Sequence, residues 1–171
     1  MQKIFGIGLA RTGSLSLATA FKYLGYCFLH NPHYSMLFRG GYGGACDCSV
    51  VRFYKELDKK FPNSKFIYTI RQPDKWINSI EKHYNRVAIK DLGKEMAEDR
   101  MAIYKRLDFN REVFLEKYIE HDIDVKLYFK NRPEDLLIID ICMGEGWEKL
   151  IPFINYTNYP EIKFPHEHKS I

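Results

Sequence analysis

The sequence predicts an α/β protein of three layers, with a central parallel sheet covered by helices on both faces. Short apolar runs rich in β-branched and aromatic residues recur along the chain as "KIFGIG", "KFIYTI" and "LLIIDI". They alternate with longer stretches whose apolar residues fall at helical spacing. Short buried strands separated by helices argue for a parallel sheet, and such sheets bind ligands beyond the carboxyl ends of their strands.

Taken in order, Lys3–Gly8 reads as a buried strand by its length and flanks. Ser14–Leu24 carries Leu15, Leu17, Ala18, Phe21 and Leu24 at helical spacing, and Gly25 is a natural stop. Tyr26–Leu29 fits a second short strand. The segment "FRGGYGGACDC" packs four glycines into a short span and is expected to be a loop. Val50–Lys60 reads as a helix, and Lys65–Ile70 as a strand. Pro73 opens the next helix, with Asp74 in its first turn.

From Trp76 to about Lys130 the pattern is helical. Its segments "DKWINSIEKHYNRVAIK" and "REVFLEKYIEHDIDVKLYF" suit helices that cover the sheet or close a cleft. Leu136–Ile141 is a further buried strand and Trp147–Ile154 a helix. The tail from about Asn155 is irregular. The whole chain, residues 1–171, is expected to form one domain.

With 46% hydrophobic and 28% charged residues the composition is that of a globular protein. A net charge of +4 without a dense basic block suggests an anionic ligand, not nucleic acid. Cys27, Cys46, Cys48 and Cys142 are too sparse for a disulfide scaffold, and Cys46-x-Cys48 lacks a second Cys/His pair, so no metal is expected. The opening "MQKIFGIGL" reads as a strand and not as a signal peptide, and no apolar run is long enough to span a membrane. A cytoplasmic protein is expected. The aromatic fraction of 15%, with Trp76 and Trp147, is read as core packing in preference to ligand stacking.

Function should lie where strands end. After the first strand comes "GLARTGSLSL". A helix start offers unpaired N–H groups and the positive end of a dipole. Gly13 lets an anion approach the backbone, Thr12, Ser14 and Ser16 offer hydroxyls, and Arg11 adds a fixed charge with a donor fork. A dinucleotide fingerprint fails at its third glycine, where Arg11 stands. An ATP or GTP loop aligns as Gly8-x4-Gly13, yet Ser14 and Leu15 replace its lysine and metal-binding hydroxyl. Ser14 as a plain helix cap is the remaining reading.

A second motif follows a later strand: "KFIYTIRQPDKWINSI", with Arg71 at the strand end and Ser79 eight residues on. The intervening turn can bring both to one anion. The alternative is a strand-end arginine paired with a helix carboxylate.

These two segments resemble the signatures of sulfotransferases that use 3′-phosphoadenosine 5′-phosphosulfate (PAPS). Ala10 occupies the usual proline place, followed by Arg11, Thr12, Gly13 and Ser14. "KFPNSKFIYTIR", "RPEDLLIIDICMGEGWEKLIPFI" and "FPHEH" extend the likeness to a branch of small sulfotransferase-like proteins, over most of the chain. The resemblance implies a P-loop-like topology, a Thr12–Ser16 loop, including Leu15, around the phosphosulfate, and Arg11 on the bridging oxygen. It places Arg71 and Ser79 on the 3′-phosphate.

PAPS is then the donor and PAP the product, with no metal required because a sulfuryl group carries less charge than a phosphoryl group. The acceptor, a small molecule, carbohydrate or lipid, offers a hydroxyl or amine. Asp47 and His30 are the leading general-base candidates, ahead of His33, His166 and His168. The C-terminal Arg-Lys-Gly clamp of many sulfotransferases is absent, and Lys163, His166 and Lys169 are the tail residues that could substitute. A nucleotide kinase or triphosphatase with a divergent loop, and a non-catalytic nucleotide-binding protein on the same fold, are the alternatives.

Overall fold

A computed structural model describes residues 2–86 and 88–167. The strands are β1 (Ile4–Gly6), β2 (Phe28–His30), β3 (Gly44–Cys46), β4 (Lys65–Thr69) and β5 (Leu136–Ile139). The helices are α1 (Ser14–Tyr23), α2 (Tyr34–Leu37), α3 (Cys48–Lys60), α4 (Pro73–Tyr84), α5 (Lys94–Tyr104), α6 (Arg111–Tyr128) and α7 (Trp147–Phe153). The five strands form one parallel sheet in the order β2-β3-β1-β4-β5.

Alternation along each strand sends side chains to opposite faces. On one face Ile4 and Ile67 pack with Leu17 and Phe21 of α1 and Leu150 and Ile151 of α7. On the other, Phe5, Ile7, Phe66 and Tyr68 meet Val50 and Tyr54 of α3 and Val125 of α6. Burial on both faces explains why the strand sequences are nearly continuous apolar runs. A third cluster, built on Trp76, Ile80, Tyr104, Phe114 and Tyr118, fastens α4, α5 and α6 together beside the sheet.

The glycine-rich segment is not all loop. Its end, Gly44-Ala45-Cys46, is β3, paired with β1 on one side and β2 on the other. The strand needs small residues because its neighbours are close. A Cβ on Gly44 would stand 2.3 Å from the Ile4 carbonyl oxygen and 2.4 Å from the Phe28 ring. Glycine content, a loop signal locally, here marks close packing between strands.

Other boundaries move by a residue or more. The second strand ends on His30, which is therefore a strand residue and not one that follows it. The long helical stretch divides into α4, a 3-10 turn at Ile89–Asp91, α5 and α6. The last strand stops at Ile139, because Asp140 accepts the Met143 N–H and starts a 3-10 turn over Ile141–Met143. Among the described residues no helix is long and apolar enough to cross a membrane.

Candidate functional site

β1 and β4 lie side by side, but the chain leaves them in opposite directions, through α1 toward β2 and through α4 toward β5. That divergence opens a crevice between the two strand ends, the usual ligand position in such sheets. The β1–α1 loop is tied to the β4 end: Thr12 Oγ1 donates to the Leu9 carbonyl (2.6 Å) and lies 2.7 Å from Thr69 Oγ1. Thr12 is thus committed beneath the loop.

The loop turns through two left-handed residues, Arg11 (φ 71°) and Gly13 (φ 109°). Glycine adopts that conformation freely, whereas arginine pays about 1–3 kcal/mol for it. The α1 ladder begins with the Leu17 N–H donating to Gly13 O (3.0 Å), so the N–H groups of Ser14, Leu15 and Ser16 stand ahead of it. No acidic residue occupies the first turn.

Arg11 and Arg71 meet across the crevice. Arg71 Nη1 donates to the Arg11 carbonyl (3.2 Å), and Arg11 Nε donates to Ser79 Oγ (3.1 Å). Ser79 therefore braces Arg11 directly, whereas the motif spacing sets it beside Arg71 on one anion. Arg71 Nε is buried without a partner among the described residues. Tyr118 clamps the Arg71 backbone, its Oη donating to the Arg71 carbonyl (2.5 Å) and receiving the Arg71 N–H (3.3 Å). Trp76 Nε1 donates to Ala10 O (2.9 Å), joining α4 to the front loop.

Among the described residues neither guanidinium has a carboxylate within 4.0 Å. Burial, followed by the charges of Arg86 and Arg71, lowers the Arg11 pKa from its usual value. An anion between the two arginines would relieve that repulsion.

Beside this pair Asp47 ends the turn after β3 and caps α3, its carboxylate accepting the Cys48 N–H (2.8 Å). Its backbone too is left-handed (φ 89°). His30 Nε2 lies 2.9 Å from Asp47 Oδ2, and Ser14 Oγ donates to the same oxygen at 3.0 Å. Burial pushes the carboxyl upward. The hydrogen bond and charge of His30, with the bonds from Cys48 and Ser14, outweigh it and hold the pKa at about 2. With Nε2 of His30 turned to Asp47, its Nδ1 has no hydrogen bond among the described residues.

These groups share one cleft of about 870 Å³. Arg11, Gly13, Ser14, Leu15, Ser16, His30, Asp47 and Arg71 line it, while Thr12 and Ser79 are buried behind them. His33 is exposed, 3.8 Å from Glu95 on the surface, and does not line the cleft. His166 and Glu167 do, and the Glu167 N–H donates to Ser16 Oγ (2.9 Å), bringing the tail back to the front loop. Lys163 is exposed and away from the lining; His168 and Lys169 lie outside the described residues. Trp76 and Trp147 are buried in the core.

The cleft also holds residues that motif reading passed over: His83, Tyr84, Arg100 and Tyr104. His83 was findable, since it stands four residues after Ser79 on the same helix face. Burial first, then the Arg11 charge, lowers its pKa. Arg100 and Tyr104 lie on α5, whose sequence carries no recognisable signature.

A protein-family model described as a sulfotransferase domain matches residues 32–170. The match takes in Asp47, Arg71 and Ser79 and begins after the front loop. No curated protein matches the chain.

Proposed function

The chain belongs to the sulfotransferase domain family, and from that premise we propose that it transfers a sulfuryl group from PAPS to a hydroxyl or amine. The observation that carries this reading is the meeting of Arg11 and Arg71 across the β1/β4 crevice, with no carboxylate within 4.0 Å of either among the described residues. Two such grips beside a helix N-terminus suit a ligand with two separated anionic groups. The front-loop N–H groups and the Ser16 hydroxyl, which accepts from Glu167 and keeps its own proton to donate, take the phosphosulfate. Arg71, which lines the cleft, takes the 3′-phosphate through the guanidinium N–H groups that its bond to the Arg11 carbonyl leaves unused.

In the transfer, the acceptor oxygen or nitrogen forms a bond to sulfur as the bond from sulfur to the bridging 5′-phosphate oxygen breaks. The electron pair stays on that oxygen, where the Arg11 guanidinium offsets the growing charge. The acceptor proton goes to His30 Nδ1. With a pKa of about 2, Asp47 is a weak proton acceptor at neutral pH, so its role is to orient His30 and stabilise the imidazolium. PAP and the sulfated acceptor leave.

Titration of PAP into wild type and Arg71→Ala tests the assignment. Loss of a charged hydrogen bond is worth about 1.5–3 kcal/mol, so affinity should fall about ten-fold or more. An unchanged dissociation constant in a folded variant would remove Arg71 from the donor site.

A further inference from the structure

The cleft extends past the arginine grip along α4. Tyr84 stands five residues beyond Ser79 on that helix, about 7.5 Å further along its axis. There the Arg100 guanidinium lies over the Tyr84 ring, 3.9 Å from its centroid. Tyr104 packs edge-on to Tyr84, with centroids 5.8 Å apart. All three residues line the cleft.

Arg100 is only 6% exposed, and its one side-chain hydrogen bond among the described residues runs from Nη1 to the Leu107 carbonyl (3.0 Å). Among the described residues no carboxylate lies within 4.0 Å of it. The adjacent acids are otherwise engaged: Asp99 pairs with Arg52 (3.3 Å), and Glu95 accepts the Tyr34 N–H (3.1 Å). Among the described residues the buried Tyr104 hydroxyl has no partner. A buried guanidinium facing an aromatic wall, with donors to spare and an orphaned hydroxyl beside it, is costly unless a ligand completes it.

Resting on the sulfotransferase reading, we infer that this end of the cleft is the acceptor subsite. It takes an apolar-bodied hydroxyl compound carrying an anionic group, a carboxylate, bound by Arg100. Tyr84 and Ile103 supply the wall for the apolar body, and the Tyr104 hydroxyl is a second donor. The nucleotide's own phosphates remain with Arg11 and Arg71.

The experiment is calorimetry on PAP-saturated protein with para-hydroxybenzoate, para-hydroxyphenylacetate and para-hydroxyphenylpropionate, each against its amide. At least one acid should bind wild type about ten-fold or more tightly than its neutral twin. Arg100→Met should erase that preference while leaving PAP affinity within about two-fold. No acid-over-amide preference in wild type overturns the inference, and this comparison needs no variant. A fall in PAP affinity in Arg100→Met also overturns it, because the anion at Arg100 would then be the nucleotide's. Wild type that fails to bind PAP at all would instead sink the sulfotransferase reading, and the acid–amide comparison can still be made on the nucleotide-free protein.

Discussion

At Asp47 a buried carboxylate in a left-handed backbone conformation is held ionised by His30, the Cys48 N–H and the Ser14 hydroxyl. Such a residue couples stability to pH. Its folded pKa of about 2 lies below the unfolded carboxylate value of about 3.9. The unfolded chain therefore takes up the proton first as pH falls. The stabilisation, about 2–3 kcal/mol, is complete above the unfolded pKa and drains away as pH falls through the folded one. Denaturant unfolding of wild type and Asp47→Asn between pH 6 and pH 2.5, on the order of one pH step per half unit, should show their stability difference shrinking toward acid. A gap constant with pH would mean that Asp47 acts through its cap geometry and not through its charge.

At the scale of elements, strands and helices with strong periodicity were legible, and the misreading of β3 is informative. "KFIYTI" and Pro73-Asp74 signalled β4 and α4 because their cues are local: β-branched content in one, a pre-set φ in the other. β3 hid because its sequence answers to neighbours distant in the chain, the Ile4 carbonyl and the Phe28 ring. Gly44→Ala tests this. A Cβ there meets backbone on one side, which cannot swing away, so a loss of about 1–3 kcal/mol is expected in denaturant unfolding. Gly93→Ala is the control, because nothing lies within 4 Å of a Cβ at that position. Equal stability of the two variants would show that β3 tolerates bulk and that its glycine has another cause.

Across the whole molecule, the site is a product of topology. Arg11 and Ser79 are separated by 68 residues and hydrogen-bonded; each half of that contact was visible in a motif, but their union required the β1–β4 pairing. The α5 wall was invisible for the same reason, since Arg100 has meaning only beside Tyr84 of another helix. A site assembled from separate segments should respond as a unit to its ligand. A nucleotide that bridges the β1 and β4 loops adds its binding energy to the folded state alone, about 2.7 kcal/mol at one hundred times its dissociation constant. Thermal unfolding with PAP, ADP, ATP–Mg²⁺ and NAD, each at matched concentration, reads that linkage. For a chain of this size, stabilisation of that order moves the midpoint by roughly 5–10 °C. PAP should give the largest shift on the proposed assignment, because of the four only it carries a 3′-phosphate for Arg71 as well as a 5′-phosphate for the front loop. A larger shift with ATP–Mg²⁺ would assign the cleft to a triphosphate instead, and Arg71 would then need a different ligand.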